Sequence, residues 1–332
     1  MTVRNGTTFQ TVMRAGLALG IGCFAPPAIS AEVRVTPVQM IAEARDVKTI
    51  GGLTWRGGFA VTMDNPDFGG ISALEISPDG QKLLAVTDRG HWLRADLSYQ
   101  DGDLTGLHNA ELTPVLGLDG KPLDKKSWSD SESLARLAPN SLVVAFERHH
   151  RLWRYDGNPD PTRAQARAIP TPKAMSKLPD NGGIESLTRL CDGNLLAIAE
   201  RSRTAQGHVD TWLQSGPDWS RLTYPVSDGL RPTAATTLPG CDVLVVERSF
   251  SILSGLGIRI MRIAAGSIRP DAALAPREVA LMSHAVTIDN FEGISARQNE
   301  QGETLVYIVS DDNFSPLQRT LLVMYRLDEI VD

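Results

Sequence analysis

The sequence predicts an all-β protein, and more specifically a β-propeller built of four-stranded blades. Pairs of apolar strand patterns joined by tight turns recur along the chain. Their starts lie about 50 to 60 residues apart, which is the length of a four-stranded blade with its loops. The second strand of each pair is apolar without alternation, as in a strand covered on both faces by neighbouring sheets. A β-sandwich would instead show in–out alternation on most strands.

The clearest of these pairs lies between Gly183 and Arg201. A turn of the Asp-Gly type at residues 191–194 separates its two strands. Because a hairpin returns the chain to the edge where it began, we expect Glu185 to lie close to Glu200. Acidic side chains from both strands should therefore share one edge of the unit.

Four more pairs follow the same plan. Their first strands start near Phe68, Glu132, Pro232 and Glu292, and their second strands end at Asp88, Glu147, Glu247 and Asp311. Extended segments in residues 32–67 could supply a sixth blade with help from the C-terminus. Six blades are therefore favoured, with five as the alternative, in a single domain at residues 32–332.

Charge and hydropathy argue against two kinds of partner. The net charge of −6 and the pI near 5.6 leave no basic stripe for a nucleic acid. No segment after residue 31 reaches the ~18 consecutive apolar residues that a membrane span needs. We expect a monomer without a nucleic-acid partner or a membrane span.

The N-terminal segment, residues 1–31, has the pattern of an export signal. Two arginines precede an apolar stretch at residues 15–24, and small residues at 26–31 place the cleavage site near Ala31. No Arg-Arg pair is present, which favours general secretion over twin-arginine export. The mature protein is therefore expected to be periplasmic or secreted.

Cys191 and Cys241 fall in the hairpin turns of two adjacent units. An oxidising compartment would permit a disulfide between them. Two isolated thiols are the alternative, because the sequence does not supply the Cα separation that a bridge requires.

In a propeller, the starts of the first strands and the ends of the second strands gather on one face around the central channel. The acidic residues at these positions are Glu132, Glu185, Glu292, Asp88, Glu147, Glu200, Glu247 and Asp311. Arg89, Arg148, Arg201 and Arg248 each directly follow one of the strand ends. Ser72 and Thr233 take the strand-start position in the other two units, so the acidic ring is asymmetric.

Converging carboxylates repel one another unless they are protonated, paired or bound to a cation. Ca²⁺ takes six to eight oxygen ligands, and carboxylates are its usual protein ligands. We therefore predict that Glu132, Glu185, Glu292 and Asp311 hold Ca²⁺. The arginines Arg89, Arg148, Arg201 and Arg248 would then bind an anionic substrate, since a guanidinium matches phosphate oxygens. Within the same face, Asp88 and His91 are the predicted acid–base groups.

A structural role is the alternative for the Glu-Arg pairs. Repeated units repeat their ion pairs, and a ring of salt bridges between blades would give the same sequence pattern. The strand-start glutamates have no adjacent arginine, which favours a metal or ligand at those positions.

Several segments of the chain resemble the bacterial phytase-like family, whose domain carries the description "esterase-like activity of phytase". The resemblance rests on FGGISAL (68–74), TDRGHW (87–92), ERSF (247–250), GLGIR (255–259) and DDNFSPLQRT (311–320). It covers about residues 68–327 and implies an exported hydrolase of phosphate or carboxylic esters. Two alternatives stay open, a propeller that binds a ligand or protein without catalysis and a lactonase-like enzyme with one central divalent ion.

Overall fold

The computed structural model describes residues 1–2, 29–30, 32–44, 46–227, 229–251, 255–283 and 285–328. Most of the predicted export signal lies outside these ranges. The described part is an all-β protein in which four-stranded units are arranged like the blades of a propeller. None of its helices is long and apolar enough to cross a bilayer.

Four strands precede the first unit. They are β1 (Ile29–Ser30), β2 (Val33–Pro37), β3 (Thr49–Ile50) and β4 (Leu53–Met63). Strands β2 and β3 both pair with the long strand β4.

The first two units follow, with a short helix between them. The first unit contains β5 (Ile71–Ile76), β6 (Lys82–Thr87), β7 (His91–Gln100) and β8 (Asp103–Pro114). The helix is α1 (Lys126–Ser129). The second unit contains β9 (Ser131–Ala138), β10 (Ser141–Phe146), β11 (Arg151–Asp156) and β12 (Ala166–Ile169).

Three further units complete the chain. The third contains β13 (Ile184–Arg189), β14 (Leu195–Arg203), β15 (Val209–Ser215) and β16 (Asp218–Tyr224). The fourth contains β17 (Arg231–Thr237), β18 (Val243–Ser251), β19 (Gly255–Ile263) and β20 (Arg277–Met282). The fifth contains β21 (Asn290–Gln298), β22 (Thr304–Asp311) and β23 (Thr320–Leu327). Short 3₁₀ turns lie at Pro161–Arg163, Met175–Lys177 and Ala265–Ser267.

The N-terminal strand β4 completes the fifth unit, because it pairs antiparallel with β23. Strand β4 also meets β8 through one parallel pair, Gly57 with Leu104. That contact joins the fifth and first units into one eleven-stranded sheet, whereas the second, third and fourth units form separate four-stranded sheets. Strand β4 thus pairs within the last unit.

The hairpins predicted from the sequence are the β5–β6, β9–β10, β13–β14, β17–β18 and β21–β22 pairs. Their second strands are buried over most of their length, as their unbroken apolar patterns indicated. The apolar core is divided into clusters that lie between neighbouring units. Between the first and second units, for example, Trp92 packs edge-on against Tyr155 with ring centroids 5.3 Å apart.

The first strands of the units contact one another in chain order, and β21 contacts β5. This closes a ring around a central channel. Cys191 and Cys241, in the turns after β13 and β17, lie at disulfide distance with their Cα atoms 5.5 Å apart. The bridge joins the third and fourth units at the end of the channel opposite to the acidic face.

Candidate functional site

Short backbone hydrogen bonds hold the acidic face together in the first, second and third units. The N–H groups of Asp88, Glu147 and Glu200 donate to the carbonyl oxygens of Gly70, Asp130 and Gly183 at 2.7, 2.8 and 2.9 Å. Each link ties the end of a second strand to the start of the first strand. Acidic residues from both strands are therefore held at one mouth of the channel, which we call the funnel.

A β-bulge occurs at the same point of every first strand. The bulged residues are Ser72, Glu132, Glu185, Thr233 and Glu292. A bulge leaves its extra residue unpaired and re-aims its side chain, and bulges are frequent beside active sites. The three glutamates predicted as metal ligands are thus placed by one repeated backbone feature.

The three bulge glutamates lie within electrostatic reach of one another. Burial, followed by the charges of Asp130 and Glu185, raises the pKa of Glu132 well above its usual range. Burial also raises the pKa of Glu185, with the charges of Glu200 and Glu292 acting in the same direction. Oε2 of Glu185 is buried and accepts no hydrogen bond from the described residues. These carboxyl groups therefore favour the protonated form unless a cation joins them.

The tightest acidic group combines one predicted ligand with two neighbours. Asp130, Glu132 and Glu147 each offer a carboxylate oxygen, and these oxygens lie within 4.8 Å of one another. Oε1 of Glu147 accepts hydrogen bonds from the backbone N–H groups of Gly182 and Gly183. That spacing is compatible with three oxygens around a single cation such as Ca²⁺.

Arg248 is the positively charged side chain next to Glu292 and Glu200 in the funnel. Its guanidinium lies 3.0 Å from Glu292 Oε1 and 3.9 Å from Glu200 Oε1. Burial raises the pKa of Glu292, although Arg248 opposes that shift. Burial and the charge of Glu292 raise the pKa of Asp311 to about 9. Arg248 therefore neutralises only part of the negative charge around it.

Not every glutamate of the predicted Glu-Arg pairs forms an ion pair with the arginine that follows it in the sequence. Glu200 lies 2.6 Å from the Nε atom of its neighbour Arg201. Glu247 instead pairs with Arg259 at 2.6 Å, and it accepts a hydrogen bond from Tyr224. Glu247 thus belongs to a buried structural network that joins the fourth unit to the third through Tyr224.

The four predicted arginines occupy different surroundings. Arg148 Nε lies 2.5 Å from Asp130 Oδ2, so it reaches into the funnel. Arg89 packs its guanidinium over the Phe314 ring, 3.2 Å from the centroid, and it makes no ion pair with the described carboxylates. Arg148, Arg201 and Arg248 therefore line the acidic groups, whereas Arg89 lies at the rim.

Asp88 and His91, the predicted acid–base groups, are not hydrogen-bonded to each other in the described structure. Asp88 lies in the funnel, where its charge raises the pKa of Asp311. Burial lowers the pKa of His91, and the charged groups that act on it are Asp67 and Arg89. The lowered pKa favours the neutral imidazole form of His91, whose side chain is partly buried.

Two funnel residues were not predicted from the sequence. Asp130 lies directly before β9, and its side chain is buried. Lys126, on α1, donates hydrogen bonds to the carboxylates of Asp88 and Asp130. The only sequence signal for Asp130 was its position two residues before Glu132.

Gly70 keeps Asp88 in place, and its replacement tests that packing. Gly70 has a φ of +61°, and a Cβ atom there would overlap Asp88 Oδ1 and lie 2.7 Å from the Phe314 ring. We expect Gly70→Ala to destabilise the protein by about 3 kcal/mol, from the left-handed backbone and the overlap together. Gly216→Ala is the matched control, because Gly216 has a φ of +59° and nothing within 4 Å of the added atom. Equal shifts of the two variants in urea unfolding would contradict this packing argument.

A family model described as "Phytase-like: Esterase-like activity of phytase" matches residues 66–314. The chain belongs to the phytase-like family. No curated protein matches the sequence. For this phytase-like protein, the family indicates a hydrolase with a propeller fold.

Solved structures resemble the phytase-like chain in fold. An α-L-arabinofuranosidase from Podospora anserina in complex with cellotriose has a TM-score of 0.52 at 14% sequence identity, over 84% of this chain and 98% of the other. A hypothetical protein from Leishmania major has a TM-score of 0.42 at 10% identity, over 80% of this chain and 87% of the other. The first likeness supports the propeller-like architecture, and fold alone does not determine chemistry.

Proposed function

We propose that this phytase-like protein is an exported hydrolase of phosphate or carboxylic esters that works with a divalent cation, Ca²⁺, in the funnel. The observation that carries the proposal is the convergence of Asp130, Glu132 and Glu147 to within 4.8 Å. Family membership supports the reaction class, and the funnel supports the cation. The substrate would be a small anionic molecule or an ester.

The residues present fit a hard cation. Burial and mutual repulsion raise the pKa values of Glu132, Glu185, Glu292 and Asp311, the four ligands predicted from the sequence. Glu185 also carries a buried oxygen without a hydrogen-bond partner in the described chain. An oxygen-only set of this kind suits Ca²⁺ better than a metal that prefers nitrogen or sulfur ligands. A bound divalent cation would polarise the ester and activate a water molecule.

The protein groups supply binding and proton transfer around that cation. Arg248 is already inside the funnel, where it lies 3.0 Å from Glu292. Its guanidinium would exchange this partner for an oxygen of the substrate and orient the ester in a bidentate fork. Arg148 and Arg201 would bind the substrate from the sides of the funnel, and Arg89 would bind it at the rim. Asp88 and His91 are retained as proposed acid–base groups, with His91 able to accept a proton as a neutral imidazole.

We infer five blades, with residues 32–332 as one mature domain. The support is the antiparallel pairing of β4 with β23, which gives the fifth unit its fourth strand. The sixth blade favoured by the sequence would need those same N-terminal strands. Export to the periplasm or the medium is supported by the N-terminal sequence pattern and by the close approach of Cys191 to Cys241.

Glu132→Gln tests the catalytic proposal with a nearly isosteric change. It removes one of the three converging carboxylates, and we expect hydrolysis to fall by about 100-fold because metal affinity and orientation depend on each ligand. Hydrolysis of nitrophenyl phosphate and of nitrophenyl acetate is measured by the release of nitrophenol at saturating Ca²⁺. The opening of a lactone is measured under the same conditions. Glu300→Gln is the control, since Glu300 is exposed and lies away from the funnel.

The same assay separates the alternatives. Chelation should abolish the activity of the wild type, and Ca²⁺ should restore it. Opening of lactones alone would favour a lactonase-like enzyme. Binding of Ca²⁺ without turnover of any ester class would favour a propeller that only binds its ligand, and the hydrolase proposal would then be wrong.

A further inference from the structure

Lys126 makes an unusual set of contacts at the edge of the funnel. Its Nζ atom lies 2.7 Å from Asp88 Oδ2, 2.9 Å from the Asp88 carbonyl oxygen and 2.6 Å from Asp130 Oδ1. An ammonium group has three N–H donors, and all three are used here. Three oxygens therefore lie around the Nζ atom, although the Lys126 side chain is 45% exposed.

These contacts connect two different units of the propeller. Asp88 directly follows β6 of the first unit, while Asp130 directly precedes β9 of the second unit. Helix α1 sets the geometry, because the Asp130 N–H donates to the Lys126 carbonyl oxygen at 3.1 Å. The Asp130 side chain is only 3% exposed, which distinguishes this arrangement from an ordinary surface ion pair.

The oxygens around Nζ would form a cation site if the lysine were absent. Asp88 offers its carbonyl oxygen and Oδ2, and Asp130 offers Oδ1. Asp88 Oδ1 is buried and accepts no hydrogen bond from the described residues, so it is a fourth available oxygen. Arg148 holds the other oxygen of Asp130 at 2.5 Å and would keep that carboxylate in place.

We propose that Lys126 acts as a tethered cation that occupies a second metal position and so confines the divalent ion to the Glu132 side of the funnel. Lys126 thus determines how many divalent ions the funnel binds. The proposal adds to the metal-binding funnel proposed above. It is tested by a difference between two lysine variants and does not require that the wild type hydrolyse an ester.

The test compares Lys126→Met with Lys125→Met. Both variants lose one positive charge at the start of the same short helix, but the side chain of Lys125 makes no hydrogen bond or ion pair with the described residues. Ca²⁺ binding is measured by equilibrium dialysis on the full mature protein near pH 8. We expect Lys126→Met to bind one more equivalent than Lys125→Met, with a dissociation constant on the order of 10⁻⁴ to 10⁻³ M, typical of extracellular Ca²⁺ sites.

Each outcome decides the question. An extra equivalent in Lys126→Met supports the proposal that Lys126 occupies a metal position. A wild type that binds no Ca²⁺ would count against the proposed function and against confinement of an ion to the Glu132 side. Equal stoichiometry in the two folded variants overturns the proposal for Lys126. If Lys126→Met folds only when Ca²⁺ is supplied, the ion has replaced the lysine and the proposal holds. If circular dichroism shows the variant unfolded with and without Ca²⁺, the proposal is wrong.

Discussion

Ca²⁺ is expected to raise the unfolding temperature of the protein by about 4 °C near pH 8 and by much less near pH 5. At a concentration about 100 times its dissociation constant, a ligand of the native state adds about 2.7 kcal/mol to the free energy of unfolding. For a domain of this size that corresponds to the stated shift in unfolding temperature. The measurement is differential scanning calorimetry with and without Ca²⁺ at both pH values.

Stabilisation by Ca²⁺ is expected to be larger at the higher pH because the pKa values of the funnel carboxyl groups are raised. Asp311 has a pKa of about 9 in the folded protein, against about 4 when unfolded. Without metal, the stability that this group contributes is complete below about pH 4 and is lost as the pH rises towards 9. Metal binding requires the deprotonated form, so Ca²⁺ competes with protons at low pH and binds better at high pH.

Two controls sharpen this result. Mg²⁺ at the same concentration should stabilise less, because it demands a smaller and more regular octahedral site. In Asp311→Asn, the free energy of unfolding should fall less between about pH 5 and 9, because the variant lacks one carboxyl group with a raised pKa. Equal stabilisation by Ca²⁺ at the two pH values would mean that the ion binds elsewhere.

Removal of the Cys191–Cys241 bridge is expected to lower the free energy of unfolding by about 4 kcal/mol. The two residues are 50 positions apart, and the chain-entropy treatment of a loop of that length gives this value. The double variant Cys191→Ser/Cys241→Ser should therefore unfold about 6 °C below the wild type.

A reductant supplies the matched comparison for the bridge. Dithiothreitol should lower the unfolding temperature of the wild type to that of the double variant, and it should leave the double variant unchanged. If the wild type does not respond although free thiol assays show complete reduction, the bridge contributes nothing to stability. Hydrolytic activity is not expected to change, since the bridge lies at the opposite end of the channel from the funnel.

The hairpin pattern was sufficient to predict most of the fold. In the stretch from Gly183 to Arg201, the Asp-Gly turn and the unbroken apolar second strand determined both pairing and burial. The gathering of Glu132, Glu185 and Glu292 followed from the same repeat. The assignment of β4 did not, because pairing between strands from opposite ends of the chain leaves no local pattern.

The finer features of the site depend on long-range geometry. A bulge exists only as a two-against-one match between strands, so the sequence around Glu185 does not reveal it. Lys126 meets Asp88 across 38 residues and two units, and no spacing rule connects them. The pairing of Glu247 with Arg259, in place of Arg248, likewise depends on which face of β18 each side chain occupies.

The pairing of β4 with β23 has a consequence for biogenesis. Strand β4 is synthesised before the first unit, but its antiparallel partner at Thr320–Leu327 is synthesised after the fourth. Strand β4 therefore stays unpaired on that edge until β23 has been synthesised. Such non-local pairing slows folding, which would leave the chain unfolded for longer and so suit the export proposed above.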